Sequence, residues 1–287
     1  MASMRDIKRR KSSIQSTQQI TKAMKLVSTV KLQRAKLRAE RSKAYFDCMY
    51  QTVSSMLSRA GGINHPYITG SDSPRKAIIM ITGNRGLAGG YNSNIIKLIT
   101  KGDFVKEDLD IYAIGTKGRD ALYRYGYTIK AVYDDLAEEP SYADAMGISR
   151  TVLEAYKAGE IGEIYLAYTS FKNTVSHEPK LIKLLPAEAG TGKDAGDSSG
   201  NVALMNFEPK DEEALSLIIP QYVTSLIYGG LVESVASENG ARMQAMDSAT
   251  SNAEEMIDSL SLLYNRARQG AITQELTEII AGAEAIS

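Results

Sequence analysis

What this 287-residue chain lacks sets the first limits on what it can be. It has one cysteine, Cys48, so no disulfide can close within it and a stapled secreted fold is excluded. Only His65 and His177 offer imidazoles, and neither C-x-x-C nor H-x-x-x-H spacing occurs, which argues against a zinc site. Tryptophan is absent and phenylalanine numbers four, so a large aromatic surface would have to come from the 16 tyrosines. No stretch approaches the ~18 uninterrupted apolar residues of a membrane span. The best, 217–232, is broken by Pro220, Gln221, Gly229 and Gly230. Net charge is missing too, with 34 Lys+Arg against 34 Asp+Glu. What remains is ordinary globular composition, 43% hydrophobic and 24% charged, with length enough for a real core.

The zero charge conceals a segregation. Residues 1–60 carry fourteen cations against Asp6, Glu40 and Asp47, a net of +11. Residues 201–287 carry four cations against thirteen acids, a net of −9, which leaves −2 for the middle. Oppositely charged ends around a near-neutral middle suggest that the ends pair with each other or with different partners.

Both ends read as long helices. Residues 1–60 contain no Pro or Gly, and Lys, Arg, Ala, Gln, Met and Leu favour helix. Ile20, Ala23, Val27, Val30, Arg34, Leu37, Arg41 and Ala44 alternate steps of three and four, the heptad spacing of a helix packed along another. Gly61, Gly62 and the His65-Pro66 pair should stop it. From 211 to 285 the sole proline is Pro220, near the start, expected to kink the helix without ending it. There Met246, Ala249, Ala253, Met256, Leu260, Leu263 and Ala267 form the second stripe. Such a helix would span on the order of 100 Å, which suits a shaft, coiled coil or arm inside something larger. Its last turns, from Arg268, are expected to project alone, with Ile272, Leu276, Ile279, Ile280, Ala283 and Ile286 needing another protein to cover them.

Between the helices the pattern changes. Strands are expected at 76–82, 109–114, 163–170 and 180–185, and helices at 92–101, 117–125 and 141–158. This alternation predicts a Rossmann-like α/β domain with a mostly parallel sheet. Residues 189–201, rich in Gly, Ser and Asp, read as an exposed loop. The fold expected is therefore α/β plus coiled coil: helices 1–60 and 211–287, antiparallel, flanking an inserted domain at 74–207.

The motifs offer little chemistry of their own. The loop 83–90 stands where a phosphate cradle would, yet reads G-x-x-G-x-x-G-G and lacks the Gly-Lys-Ser/Thr ending of a P-loop. Lys193 cannot supply that lysine, since Asp194 follows it and no strand precedes it. A tight strand-to-helix turn is the plainer reading, and a nucleotide-dependent α/β enzyme using this loop is the alternative. No G-x-S-x-G elbow exists, and His65 and His177 read as polar residues of connections. A basic coiled-coil nucleic-acid adaptor is a further alternative, but the N-terminal helix has no aromatic before Tyr45 on which bases would stack. An organellar transit peptide fits poorly, because the heptad stripe runs past any plausible cleavage point.

Four stretches carry a resemblance over essentially the whole chain. They are the N-terminal segment 14–27, the loop TGNRGLAGGYNSN at 82–94, ASENGARMQAM at 236–246 and YNRARQGAITQELTEIIAGA at 264–283. Together they resemble the gamma subunit of F-type, proton-translocating ATP synthase, bacterial type. Ala88 stands where the family loop usually has Cys, and no cysteine-bearing insert of the thiol-regulated chloroplast type follows the second strand. The resemblance implies a non-catalytic, torque-transmitting central rotor shaft, one copy per complex, peripheral on the cytoplasmic face of the bacterial cell membrane. Implied partners are the alpha and beta subunits of the hexamer, the epsilon subunit and the c-ring, with no nucleic acid, no direct membrane span and no cofactor or metal on this chain. By residue match, Met24, Lys25, Arg266, Arg268, Gln269, Thr273 and Glu275 are implied contacts with the hexamer. Lys22, Lys25, Lys31 and Arg34 would meet an acidic lever on the beta subunits, and Glu238 and Arg242 would lie towards epsilon and the c-ring. Small residues such as Gly270, Ala271, Ala281 and Gly282 would keep the shaft narrow.

Overall fold

Lys76–Ile81 (β1) and Leu109–Ile114 (β2) are apolar on both faces and almost wholly buried, as strands in the middle of a parallel sheet must be. In the computed structural model, which describes residues 4–59, 65–71, 73–187 and 211–284, they pair in parallel register from Lys76 opposite Leu109 to Ile81 opposite Ile114. Glu163–Phe171 (β4) pairs in parallel on the other side of β1. Thr128–Tyr133 (β3) pairs in parallel beyond β2, and His177–Leu185 (β5) closes a hairpin antiparallel to β4. The order is β3-β2-β1-β4-β5, a mostly parallel sheet of the expected class.

Two strands differ from expectation. β3 is not among the expected strands; its TIKAVY alternates exposed and half-buried positions as an edge strand does. His177 begins β5 and is not in a connection, and β5 accepts Pro179 because an edge strand has a side with no ladder to donate to.

The helices follow their local signals. Tyr91–Thr100 (α3) and Thr116–Arg124 (α4) pack Ile95, Ile99 and Leu122 on Ile78, Met80 and Ile111. Tyr142–Lys157 (α5) opens on a capping box in which Ser141 and Asp144 satisfy each other's backbone N–H. Its Ile148 and Val152 lie in the opposite layer with Ile79, Ile81 and Leu166. A single turn, Pro66–Thr69 (α2), precedes the sheet, capped by His65.

The terminal helices are Met4–Arg59 (α1) and Asp211–Glu284 (α6), and α6 runs through Pro220. Leu215, Ile219, Val223, Ile227 and Leu231, in steps of four, join the α5 side of the sheet core. One 18-residue window of α6 reaches a mean hydropathy of 1.5, apolar enough for a membrane span by length and composition. The absence of an uninterrupted run still holds, because isolated Pro and Gly break a run while lowering its mean only modestly. Half of that window is buried inside the chain, as in the core helix of a globular domain.

Residues 30–241 form one compact unit, built around the sheet. Residues up to Thr29 and from Arg242 form another, whose described residues are all helical. The Gly61-Gly62 stop, the loop 189–201 with Lys193, and Ile286 lie outside the described residues.

Candidate functional site

Within the helical unit α1 and α6 run antiparallel: Gln18 Nε2 donates to Glu254 (2.9 Å), Thr21 meets Thr250 (2.8 Å) and Lys25 Nζ reaches Asp247 (2.5 Å). The row that α1 turns inward contains Ile7, Ile14, Thr21 and Ser28, seven residues apart. Thr21 is 8% exposed and Ser28 2%. This corrects the expected seam. Ile20, Val27, Val30 and Leu37 have the right spacing, yet each is about half exposed. Heptad spacing is shared by neighbouring rows of one helix, and the expected seam is the more apolar of two such rows. The chain buries the row that carries Thr21 and Ser28, and the Thr21 hydroxyl is satisfied by Thr250 across the seam and by the Gln18 carbonyl.

On α6 the expected Met246, Ala253 and Leu260 are buried, whereas Met256 and Leu263 face outward. Ile7, Arg10, Leu263, Arg266, Ala267 and Gly270 line an open groove of about 860 Å³. Beyond it Ile272, Leu276, Ile279 and Ile280 are 49–67% exposed, the uncovered apolar end expected of a projecting helix.

The residues implied as hexamer contacts fall in two groups. Arg266, Arg268, Gln269, Thr273 and Glu275 are exposed on α6, with the Thr273 hydroxyl bonded to the Gln269 carbonyl (2.9 Å). Met24 and Lys25 are half-buried on α1, and Lys25 already has an acidic partner in Asp247. Lys31 likewise lies 3.3 Å from Glu138. Glu238 is 7% exposed, and Arg242 is half-buried.

Glu238 bears on the glycine loop. The chain leaves β1 for β2 on one side and returns from β3 through α5 to β4 on the other, so the ends of β1 and β4 flank the switch point at which doubly wound sheets bind ligands. In this chain the crevice is filled from within. A Cβ added to Gly83 would lie 2.6 Å from Glu238 Oε1, so the carboxylate rests directly on the backbone where a phosphate would approach. Asn92 accepts the Gly83 N–H (2.9 Å) and donates to Arg85 O (3.2 Å). Asn84 spans from Asp134 O (2.6 Å) to Thr116 N (3.0 Å). A crevice lined by a carboxylate and by committed amides disfavours a polyphosphate. Of the loop's glycines Gly83 serves close packing and Gly89 supplies a positive φ of +54°, while the side chain left at the tip is Leu87, 63% exposed with φ +62°. The spacing of the loop already favours a tight turn over a phosphate cradle, but no feature of the sequence points to Glu238, which lies 155 residues away on α6.

The comparisons agree with this geometry. A family model described as ATP synthase matches residues 3–286. The ATP synthase gamma chain of Lachnoclostridium phytofermentans is 64% identical over 291 residues, covering 100% of both chains. A sodium ion specific ATP synthase gamma chain from Acetobacterium woodii is 40% identical over 298 residues, covering 99% of each. Among solved structures, a chain of the Euglena gracilis mitochondrial ATP synthase, in its OSCP/F1/c-ring assembly, superposes with a TM-score of 0.70 at 19% identity, over 99% of this chain and 94% of that one. Matching the family over its whole described length, helices and sheet alike, the chain belongs to the ATP synthase gamma chains.

Proposed function

We propose that this chain is the central rotor shaft of an ATP synthase, a stalk component that carries torque between a proton-driven c-ring and the catalytic hexamer of alpha and beta subunits. The observation that carries this reading is the inverted helix pair. Apolar residues on α1 (Ile20, Val27) and at the end of α6 (Ile272, Leu276, Ile279) face outward, while the positions that α1 buries in the pair are the small polar Thr21 and Ser28. A helix pair arranged so is built to be enclosed by other subunits. Its domains on this reading are the helices 1–60 and 211–287 and the α/β foot 74–207. The nucleotide sites lie on other subunits, epsilon and the c-ring meet the foot, and the complex is peripheral on the cytoplasmic face of the bacterial membrane.

Met24, Arg266, Arg268, Gln269, Thr273 and Glu275 are the proposed hexamer contacts, with Arg242 towards the foot. Lys25 joins the contacts by exchanging Asp247 for an acid of the hexamer. Both side chains are substantially exposed, so the exchange costs little. Glu238 acts inside the foot, against Gly83, and not as a partner contact.

Reconstitution with alpha and beta subunits tests the reading. The full chain should give an ATPase-competent complex, and deletion of residues 268–287 should impair assembly or coupling. A truncated chain that assembles and couples as well as the full one would sink it. The sodium-specific relative makes the coupling ion a separate test. ATP synthesis in vesicles should collapse with a protonophore and be indifferent to Na⁺; synthesis that requires Na⁺ and survives the protonophore would replace the proton.

A further inference from the structure

The β4–β5 hairpin carries an imidazole that none of these surfaces uses. The outer half of the hairpin is laid along α6 by a row of small residues. Thr169 N donates to Ser234 Oγ (3.3 Å), Ser237 Oγ donates to Thr169 O (3.1 Å), and Phe171 N donates to Glu233 Oε2 (3.1 Å). One turn further along the helix this row reaches Gly240, and there the partner is His177. A Cβ on Gly240 would lie 2.7 Å from His177 Cε1 and 3.0 Å from Nε2, so the ring is flush against the helix backbone. Its other neighbour is the Phe171 ring, 5.8 Å away between centroids. Both ring nitrogens are buried with no well-formed hydrogen bond.

The surroundings do not suit a cation. The helix carbonyls under Gly240 are engaged in the helix itself. The charged groups on the packed elements include Lys36 and Glu40 of α1, Lys172 and Glu178 of the hairpin, and Glu233, Glu238 and Arg242 of α6, of which Glu238 rests on Gly83. Lys36 donates to Thr174 Oγ1 (3.2 Å) and lies 5.2 Å above Phe171, which places a cation on this side. Lys172 and Glu178 bind each other at 2.7 Å, and Glu233 is committed to Phe171 N.

We propose that His177 is an acid-released clip: neutral, it seats the hairpin tip on Gly240 of α6, and protonated it draws the tip away to reach water while the sheet stays paired. The physical cause is the cost of a buried imidazolium whose one nearby acceptor, the Thr174 carbonyl, is not well placed to bond it. Burial holds the ring below its ordinary pKa of 6.5, against a smaller opposing pull from the Thr174 carbonyl. With the folded pKa below the unfolded one, the clip's contribution is complete above about pH 6.5 and is lost as pH falls through the folded value. The clip is independent of the role proposed for the chain as a shaft.

Hydrogen–deuterium exchange on the full chain, corrected for intrinsic rates, tests it at about pH 7.5 and about pH 5.5. The peptide spanning 169–178 should lose about tenfold in protection at the lower pH while β1 keeps its own. His177→Phe, which fills the same notch and cannot protonate, should abolish that loss. Unchanged protection in the wild type, or a loss that persists in the Phe variant, overturns the clip. Should that variant not fold, the imidazole resonance of the wild type decides. A midpoint below about 6.5 that coincides with the loss of protection supports the clip, and a midpoint at or above it removes it.

Discussion

The sheet unit and the helical unit solve opposite packing problems. In the sheet unit Ile78, Ile79, Met80, Ile111 and Ile114 are fully buried, and the helices on both faces bring apolar stripes to them. In the helical unit the most buried α1 positions are Thr21 and Ser28, while Ile20, Leu26 and Val27 face out. The first is a self-sufficient core. The second buries Met246, Ala253 and Leu260 of α6 alongside a small polar row of α1, adds side-chain hydrogen bonds, and leaves its other large apolar residues uncovered. Burial predicts stability only where burial is apolar, so equal-sized changes should have unequal consequences in the two regions.

The largest effect is expected in the sheet. Ile79→Ala leaves a hole between layers that cannot close and should cost about 2–5 kcal/mol by urea denaturation. A cost below ~1 kcal/mol would erase the contrast. Next comes Gly115→Ala. Gly115 has φ +88°, and an added Cβ would lie 2.1 Å from the Thr82 carbonyl oxygen. Strain and collision together should cost roughly 2 kcal/mol or more, read in the same titration.

A smaller and pH-dependent effect is expected at Glu163, which binds Lys76 (2.8 Å), Lys183 (2.9 Å) and the Tyr165 hydroxyl (3.0 Å) across three strands. Burial alone would raise its pKa, but these donors outweigh it and hold the group at about 2. Because the folded pKa lies below the unfolded one, the stabilisation is present above about pH 4.5 and lost as pH falls towards 2. Glu163→Gln should flatten the acid limb of the stability profile measured over that window. The smallest effect belongs to the helix pair, where Lys25→Ala removes an exposed ion pair and should change stability by about 0–1 kcal/mol in circular dichroism melts. A loss above ~2 kcal/mol would mean that the helical seam is built like the sheet after all.

Much of the fold was legible in the sequence, for reasons that vary by element. β1 and β2 stand out because strands buried on both faces must be continuously apolar. α5 announces itself through Ser141 and Asp144, a local signal that needs no tertiary context. The uncovered apolar end of α6 follows from α1 having fewer residues to set against it. β3 escaped because an exposed edge strand of six residues with Lys and Thr at alternate positions resembles a polar connection. At the candidate site, Arg266, Arg268 and Gln269 are as exposed as a contact surface requires, whereas Glu238 is turned inward by the packing of α6 over the loop.

By itself the sequence determined the period of both long helices, the central strands of the sheet and the segregation of charge between the ends. These depend on which residues are neighbours along the chain. Tertiary structure alone decided the phase of the α1 heptad, the filling of the 83–90 loop by Glu238 and the burial of His177 against Gly240. Each of those depends on a surface brought in from far along the chain, and a repeat of seven states the spacing of a seam without saying which row will meet that surface.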